Sequence, residues 1–280
     1  MTVEGTLEGT LAGTVEWLSS PPPVDAPVDH PAPRDFTLQG QVRRITGALW
    51  LPAKYAADTP MVLLGHGASG DRYQAPIPHL CKRLVSESGF VCLALDGPVH
   101  GLRQVGPGGR VAFAEEMQRD GWIDDMVTDW HDAFHALTAD GSLGQGPLGY
   151  FGLSMGTLFG VPLLASKLAS KLASELTFSA AVIGLCGVSG AAQSVGQRLA
   201  QDAGHINCPL LFLMQLEDEL FPRDGYLALF DALAAEDKRL HANPGLHPEV
   251  PAEEVAASCH FLQRYLTGTV ERRIVNPLAE

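Results

Sequence analysis

The sequence predicts an α/β protein with a mostly parallel central sheet of about eight strands and helices on both faces. Short apolar, β-branched segments alternate with longer helix-forming segments from residue 42 onward, and such alternation is typical of βαβ units. Several of the short segments, such as 62–64 and 209–213, are continuously apolar, as expected of strands that are buried on both faces.

Composition favours one compact, soluble domain or two small ones. The 280 residues are 46% hydrophobic and 18% charged, and the formal net charge is −13. An acidic chain is a poor partner for nucleic acid or anionic membranes. No apolar run approaches the roughly 18 residues of a membrane span, and the N-terminus lacks a signal peptide. Five scattered cysteines without a C-x-x-C motif indicate reduced thiols. We expect a cytoplasmic protein, a monomer or homo-oligomer, with a small-molecule partner.

The chain divides into three parts. In residues 1–40, a Gly-Thr echo with apolar residues at odd positions indicates a strand-like segment, and six prolines between 21 and 33 indicate an extended connector. We predict one large domain over residues 41–268 and a C-terminal tail over residues 269–280.

The predicted elements of the domain follow in order along the chain. The strands are 42–51, 61–65, 90–95, 147–152, 180–187, 208–215 and 238–241. The helices are 74–87, 113–139, 156–176, 191–203, 223–236 and 252–267, where the third is lengthened by a repeat with leucine at every fourth position. Only one helix fits between residues 187 and 208, so no large cap domain is expected. Ligands of such sheets bind beyond the carboxyl ends of the strands, and the glycine-rich stretch 100–112 is predicted to fold over that site as a flap.

A nucleophile motif follows the strand 147–152. Gly152-Leu153-Ser154-Met155-Gly156 has the pattern G-x-S-x-G between a predicted strand and a predicted helix. A tight turn with glycines lifts the serine hydroxyl above the sheet. We therefore predict that Ser154 is a nucleophile.

A serine nucleophile needs a base and a group that orients the base. Pro244 and Gly245 form a loop after the last strand, and His247 lies on that loop. Three acids at 217–219 follow the preceding strand, and Asp218 suits the turn best. The predicted triad is Ser154, Asp218 and His247, in the chain order of α/β-hydrolases.

Acyl transfer also needs donors for the oxyanion. The glycine-rich loop after strand 61–65 and the residue after the nucleophile suggest the backbone N–H groups of Ala68 and Met155. His66 is predicted to shape the loop and to line the substrate site. Arg103 and Arg110 are candidate substrate ligands, which would suit a carboxylate on the acyl or leaving group.

Two other motifs carry no predicted function. Residues 144–149 match G-x-G-x-x-G but precede a strand, where a dinucleotide fingerprint would follow one. His131 and His135 are spaced for a metal on one helix face, but no third ligand is evident. We predict neither a metal nor a cofactor.

From about residue 40 to residue 268 the chain resembles the α/β-hydrolase superfamily, particularly its dienelactone hydrolase-like and small carboxylesterase or acyl-peptidase-like groups. The resemblance rests on His66-Gly67, 96–101, 152–156, 217–222 and His247. Dienelactone hydrolases have a cysteine nucleophile, so Ser154 points to esterase chemistry. Asp96 and His100 match a stretch that is usually structural in the family.

The leading hypothesis is a serine hydrolase, carboxylesterase-like, that cleaves esters of small to medium acyl groups. A peptidase, thioesterase or lactonase would use the same triad. A noncatalytic binding protein on the same fold is the alternative from another class, and its usual sign would be the loss of a triad residue.

Overall fold

The computed structural model of the protein describes residues 13–19, 31–166 and 176–269. The Gly-Thr echo up to residue 12, most of the proline-rich connector, the repeat at 167–175 and the tail beyond 269 lie outside these residues.

A single sheet of nine strands runs through the described residues, mostly parallel as predicted. The strands are β1 (Glu16–Trp17), β2 (Arg34–Gln39), β3 (Arg44–Trp50), β4 (Met61–Gly65), β5 (Val91–Leu95), β6 (Leu148–Leu153), β7 (Phe178–Gly184), β8 (Leu210–Gln215) and β9 (Lys238–Asn243). Their order is β1-β2-β3-β5-β4-β6-β7-β8-β9. The β1/β2, β2/β3 and β3/β5 pairs are antiparallel and the others are parallel.

Strand β2 is missing from the predicted strands of the domain, the first of which begins at residue 42. It pairs with β3 along its whole length, from Arg34↔Leu49 to Gln39↔Arg44. Phe36 is completely buried by this pairing. Prolines precede β2 and polar residues stand at both of its ends, so the local sequence does not show a strand pattern. The strand is stabilised by its tertiary pairing with β3. The sheet therefore begins before residue 41.

Helices cover both faces of the sheet, as predicted. They are α1 (Ile77–Cys81), continued by a π-helical turn at Lys82–Glu87, α2 (Gly109–Glu116), α3 (Trp122–Ala139), α4 (Met155–Ala165), α5 (Gly196–Ala203), α6 (Arg223–Ala232) and α7 (Ala252–Leu266). Helices α1 and α7 pack on one face, and the series α3, α4, α5 and α6 packs on the other. Each face buries its own apolar core.

Two predicted helices differ from the structure. The segment 113–139 is not one helix, because Gly121 adopts a left-handed φ of 75° that separates α2 from α3. Helix α4 ends at Ala165, and Ser166 is extended. The rest of the predicted helix 156–176 lies mainly at 167–175, outside the described residues.

The connection from β7 to β8 contains a short 3-10 turn at Gly190–Ala192 and helix α5, with no large cap. In the part of the chain that the structure describes, no helix has the length and apolarity to cross a bilayer.

Strands β4, β6, β8 and β9 are parallel, so the loops at their carboxyl ends meet at one edge of the sheet.

Candidate active site

Ser154 lies at the sharp turn between β6 and α4. Its φ is 57°, a left-handed conformation that is uncommon outside glycine. A Cβ on Gly156 would come within 2.6 Å of the Gly65 carbonyl oxygen on the neighbouring strand. Glycine at position 156 is therefore needed for the close approach of α4 to β4, and this approach keeps the turn tight.

Three of the predicted residues form one continuous chain of hydrogen bonds. His247 Nε2 lies 2.9 Å from Ser154 Oγ, and His247 Nδ1 lies 2.7 Å from Asp218 Oδ2. The side chains of His247 and Asp218 are 7% and 1% exposed. A carboxylate on Nδ1 holds the proton there and leaves Nε2 as the acceptor for the serine hydroxyl.

The three acids after β8 have different partners. Asp218 binds the imidazole of His247, whereas Glu219 accepts the backbone N–H of His247 at 2.9 Å. Glu217 accepts the backbone N–H of Gly245 at 2.5 Å. The flanking acids therefore hold the histidine loop in place, and only Asp218 reaches the ring.

The Asp218 carboxylate is kept ionised by its hydrogen bonds. Burial raises its pKa, but hydrogen bonds from His247 and Tyr226 outweigh burial and leave the pKa below its ordinary value. Tyr226, on α6, donates its hydroxyl proton to the same Oδ2 atom that faces His247. Sequence reasoning did not single out Tyr226, because a lone aromatic residue in a helix gives no sign of its partner.

His66 shapes the loop that follows β4. Its Nε2 accepts the backbone N–H of Gly97 at 2.8 Å, and its Nδ1 lies 2.8 Å from the Gly67 carbonyl oxygen. Burial lowers the pKa of His66 to about 4, so the ring is neutral at neutral pH, with its proton on Nδ1. Both nitrogens are thus used by the backbone, and the ring offers no polar group to a ligand in the neighbouring cavity.

The peptide group that His66 holds also carries the N–H of Ala68. A trans peptide directs its C=O and N–H to opposite sides, so fixing the Gly67 carbonyl also fixes the Ala68 N–H. Among the described residues the Ala68 N–H has no hydrogen-bond acceptor. The Met155 N–H has no intrahelical acceptor, because it is at the first position of α4. Ala68 and Met155 line the same cavity as Ser154.

A cavity of about 530 Å³ lies over Ser154 and His247, within the range of small-molecule sites. Its walls are mainly apolar, and they include Phe113 on α2 and Met117 directly after it. The predicted flap thus ends in a helix that forms a wall of the cavity. The other apolar and aromatic wall residues include Ile77, Phe151, Leu153, Leu158, Leu185, Leu220, Phe221, Val250 and Val255.

The two predicted substrate-binding arginines have different positions. Arg110 lines the cavity, and within the described residues it forms no ion pair or hydrogen bond. Arg103 does not reach the cavity, which corrects its sequence-based assignment. It is buried, binds Asp129 at 2.8 Å and donates to the Asp96 carbonyl oxygen at 3.0 Å. Arg103 therefore connects helix α3 to the loop that follows β5.

Asp96 and His100 have structural contacts. The Asp96 carboxylate accepts Thr46 Oγ1 at 2.6 Å and Arg72 Nη1 at 2.8 Å. The ring of His100 lies 2.6 Å from the Pro98 carbonyl oxygen. In residues 13–19, 31–166 and 176–269, no group of three or more His, Cys, Asp or Glu side chains is arranged to hold a metal ion.

Of three comparisons with known proteins, the one with solved structures finds matches, and these agree with this fold. A scan against protein-family models finds no match, and a search of curated proteins finds none either. Among solved structures, a cold-adapted esterase from an Arctic intertidal metagenomic library, bound to polyethylene glycol, is 33% identical, with a TM-score of 0.69, and the match covers 84% of this chain and 94% of that one. A zinc-bound structure of a cold-adapted esterase from such a library is 30% identical, with a TM-score of 0.69, and covers 90% and 99% of the two chains.

A more distant structure shares the fold alone. The acetyl xylan esterase from Paenibacillus sp. R4 is 18% identical, with a TM-score of 0.64, and the match covers 92% of this chain and 90% of that one. The identity to the Arctic esterase over most of both chains, together with the sheet order and the strand-turn-helix at Ser154, shows the family. The chain belongs to the α/β-hydrolase superfamily and is a hydrolase.

Proposed function

We propose that the protein is a serine hydrolase that cleaves carboxylic esters through an acyl-enzyme. The observation that carries this proposal is the hydrogen-bond chain from Asp218 through His247 to Ser154 Oγ, which ends at the floor of an apolar cavity. The Arctic esterase, at 33% identity, supports esters as the substrate class.

The reaction follows from these positions. His247 Nε2 takes the proton of Ser154 Oγ as this oxygen attacks the ester carbonyl carbon, and the Met155 and Ala68 N–H groups stabilise the negative charge on the carbonyl oxygen. His247 then protonates the alcohol that leaves. Water, deprotonated by His247, attacks the acyl-enzyme, and the acid is released as Ser154 regains its proton.

The acyl group is proposed to be small to medium in size. The cavity has room for an apolar chain against Phe113 and Leu158, where each buried methylene contributes about 0.8 kcal/mol. No large cap between β7 and β8 encloses a longer chain. Affinity for the acyl chain should therefore rise over the first few methylenes and then stop rising.

A carboxylate on the substrate is proposed to contact Arg110. Of the described residues that line the cavity, Arg110 alone carries a permanent charge. Of the twelve arginines in the described residues, seven are paired with Asp or Glu, for example Arg72 with Asp96. A guanidinium at the rim without an internal acid is available to a substrate carboxylate.

Peptides, thioesters and lactones would meet the same nucleophile, base and N–H donors. Their hydrolysis remains an alternative within the same chemistry. A noncatalytic binding protein is a weaker alternative, because a purely binding role gives no reason for an imidazole to bridge a serine and a buried carboxylate.

A fluorophosphonate probe followed by peptide mass spectrometry tests the proposal. We expect stoichiometric labelling at Ser154, no labelling of Ser154→Ala, and hydrolysis of p-nitrophenyl butyrate that stops as labelling is completed. Labelling at another serine would overturn the site, and full labelling of Ser154 without ester hydrolysis would overturn the substrate class.

A further inference from the structure

We propose that Tyr226 is a positioning residue that fixes the Asp218 carboxylate and moderates its charge toward His247. The inference rests on the proposed function, in which Asp218 orients the base. Its basis is the hydrogen bond from the Tyr226 hydroxyl to Asp218 Oδ2, the same atom that lies 2.7 Å from His247 Nδ1.

The carboxylate of Asp218 is held on both oxygens. Oδ1 accepts the backbone N–H groups of Leu220 at 2.7 Å and Phe221 at 3.0 Å, while Oδ2 accepts the imidazole and the phenol. Two backbone donors fix one end of the group, and Tyr226 opposes rotation at the other end. Without the phenol, His247 would be the only donor on Oδ2 among the described residues.

The phenol itself is held rigidly. Tyr226 is completely buried, and its ring packs edge to face against Phe212 and Phe221, with centroids 6.2 and 6.0 Å away. The ring of Phe221 also lies 5.6 Å from the ring of His247. A phenylalanine at position 226 would keep these ring contacts and remove only the hydroxyl.

The protonation states suit a donor and an acceptor. Burial, assisted by the bond to Asp218, raises the pKa of Tyr226 far above its ordinary value, so the phenol keeps its proton. The other titratable groups that face this assembly are the buried Cys186, whose pKa is raised by burial, and the acids Glu217 and Glu219 on the loop after β8. None of these groups donates a hydrogen bond to Oδ2, so among the described residues Tyr226 is the only donor on that atom besides His247.

Removal of the hydroxyl has two expected effects. Oδ2 becomes a stronger acceptor, which stabilises the protonated imidazole, so the acidic limb of the kcat/KM profile moves to higher pH by about half a unit. The carboxylate also gains rotational freedom, so kcat falls about tenfold while KM changes little.

Tyr226→Phe is the test, with Tyr265→Phe as the matched control. Tyr265 likewise donates its hydroxyl to an aspartate, Asp237, but this aspartate is not the one that lies on the Nδ1 atom of His247. Rates are corrected for the fraction of enzyme that a fluorophosphonate labels, and thermal denaturation checks the fold. We expect the pH limb and kcat to change in Tyr226→Phe and to match the wild type in Tyr265→Phe.

A readout without ester turnover separates this proposal from the proposed function. The downfield proton NMR signal of His247 Nδ1–H, assigned with His247→Gln, should move or disappear in Tyr226→Phe and stay unchanged in Tyr265→Phe. An unchanged signal and a superimposable pH profile would overturn the role of Tyr226, even if ester hydrolysis is established. A shifted signal in an enzyme without esterase activity would support Tyr226 and overturn the ester substrate.

Discussion

His66 accepts the backbone N–H of Gly97 on its Nε2 atom at 2.8 Å. This bond joins the loop after β5 to the loop after β4 and requires a lone pair on Nε2. A proton on Nε2 would abolish the bond. The loop that carries the Ala68 N–H is therefore linked to the neutral state of one buried imidazole.

The free energy of unfolding should decrease at acidic pH because folding requires the neutral form of His66. The pKa of His66 is about 4 in the folded protein and about 6.5 when unfolded. Between these values the unfolded chain binds more protons, so the free energy of unfolding decreases as pH falls from 6.5 toward 4, by on the order of 3 kcal/mol for His66. Burial also lowers the pKa of His131 to about 4, so this histidine changes the free energy of unfolding in the same direction. Urea denaturation at several pH values measures the effect.

The contribution of His66 can be isolated with His66→Gln. The variant should be less stable than the wild type at pH 7, and its stability should change less between pH 6.5 and 5, where few carboxylates titrate. Parallel pH curves for the two proteins would show that His66 titrates normally in the folded state.

Ser154→Ala and His247→Ala should each abolish ester hydrolysis. Because triad groups act together, each loss should reduce kcat by about 10⁴ to 10⁶-fold, with p-nitrophenyl butyrate as substrate. His241→Ala is the control for a lost histidine, since His241 binds Glu254. More than a tenth of wild-type activity in Ser154→Ala would mean that another nucleophile acts.

Asp218→Asn should reduce kcat about 10⁴-fold, because the amide favours the wrong tautomer of His247. Glu217→Gln and Glu219→Gln are matched controls on the same loop. Their acceptor atoms bind backbone N–H groups, so they should keep kcat within about tenfold of wild type. A mild Asp218→Asn together with a severe Glu217→Gln would reassign the acid.

Arg110→Met should lower kcat/KM about tenfold for the p-nitrophenyl monoester of glutaric acid, because a charge-assisted contact is lost at an exposed rim. The neutral p-nitrophenyl pentanoate should be little affected. Arg223→Met removes an exposed arginine on α6 as a control. Equal losses on both esters, or none on either, would contradict a substrate carboxylate at Arg110.

The acyl series from acetate to laurate should peak at butyrate or hexanoate in kcat/KM, since no large cap between β7 and β8 encloses a longer chain. No increase in rate is expected when the substrate exceeds its solubility limit. Faster hydrolysis of laurate than of butyrate would indicate a longer acyl channel than the cavity over Ser154.

The sequence predicted the parallel core of the sheet and the residues that meet above it, because these depend on local patterns. G-x-S-x-G marked Ser154, and Pro244-Gly245 marked the loop that carries His247. For Asp218 the sequence offered three adjacent acids, and the structure shows that each has its own partner on the histidine loop.

Features set by long-range contacts escaped prediction. The acid that binds Arg103 is Asp129, on helix α3, so sequence alone left the arginine open to a substrate role. Strand β2 needs its pairing with β3, and the bond of Tyr226 to Asp218 depends on how α6 docks. In each case the neighbouring sequence does not indicate the partner.

The positive φ of Ser154 has a thermodynamic consequence for the whole chain. A non-glycine residue in such a conformation costs on the order of 1 kcal/mol or more of folding stability, and glycine would relieve that cost. Ser154→Gly should therefore melt at a higher temperature than Ser154→Ala, which retains the Cβ. The wild-type chain accordingly forgoes part of its attainable stability at its proposed nucleophile, a trade-off between stability and the proposed reactivity that is located in a single backbone angle.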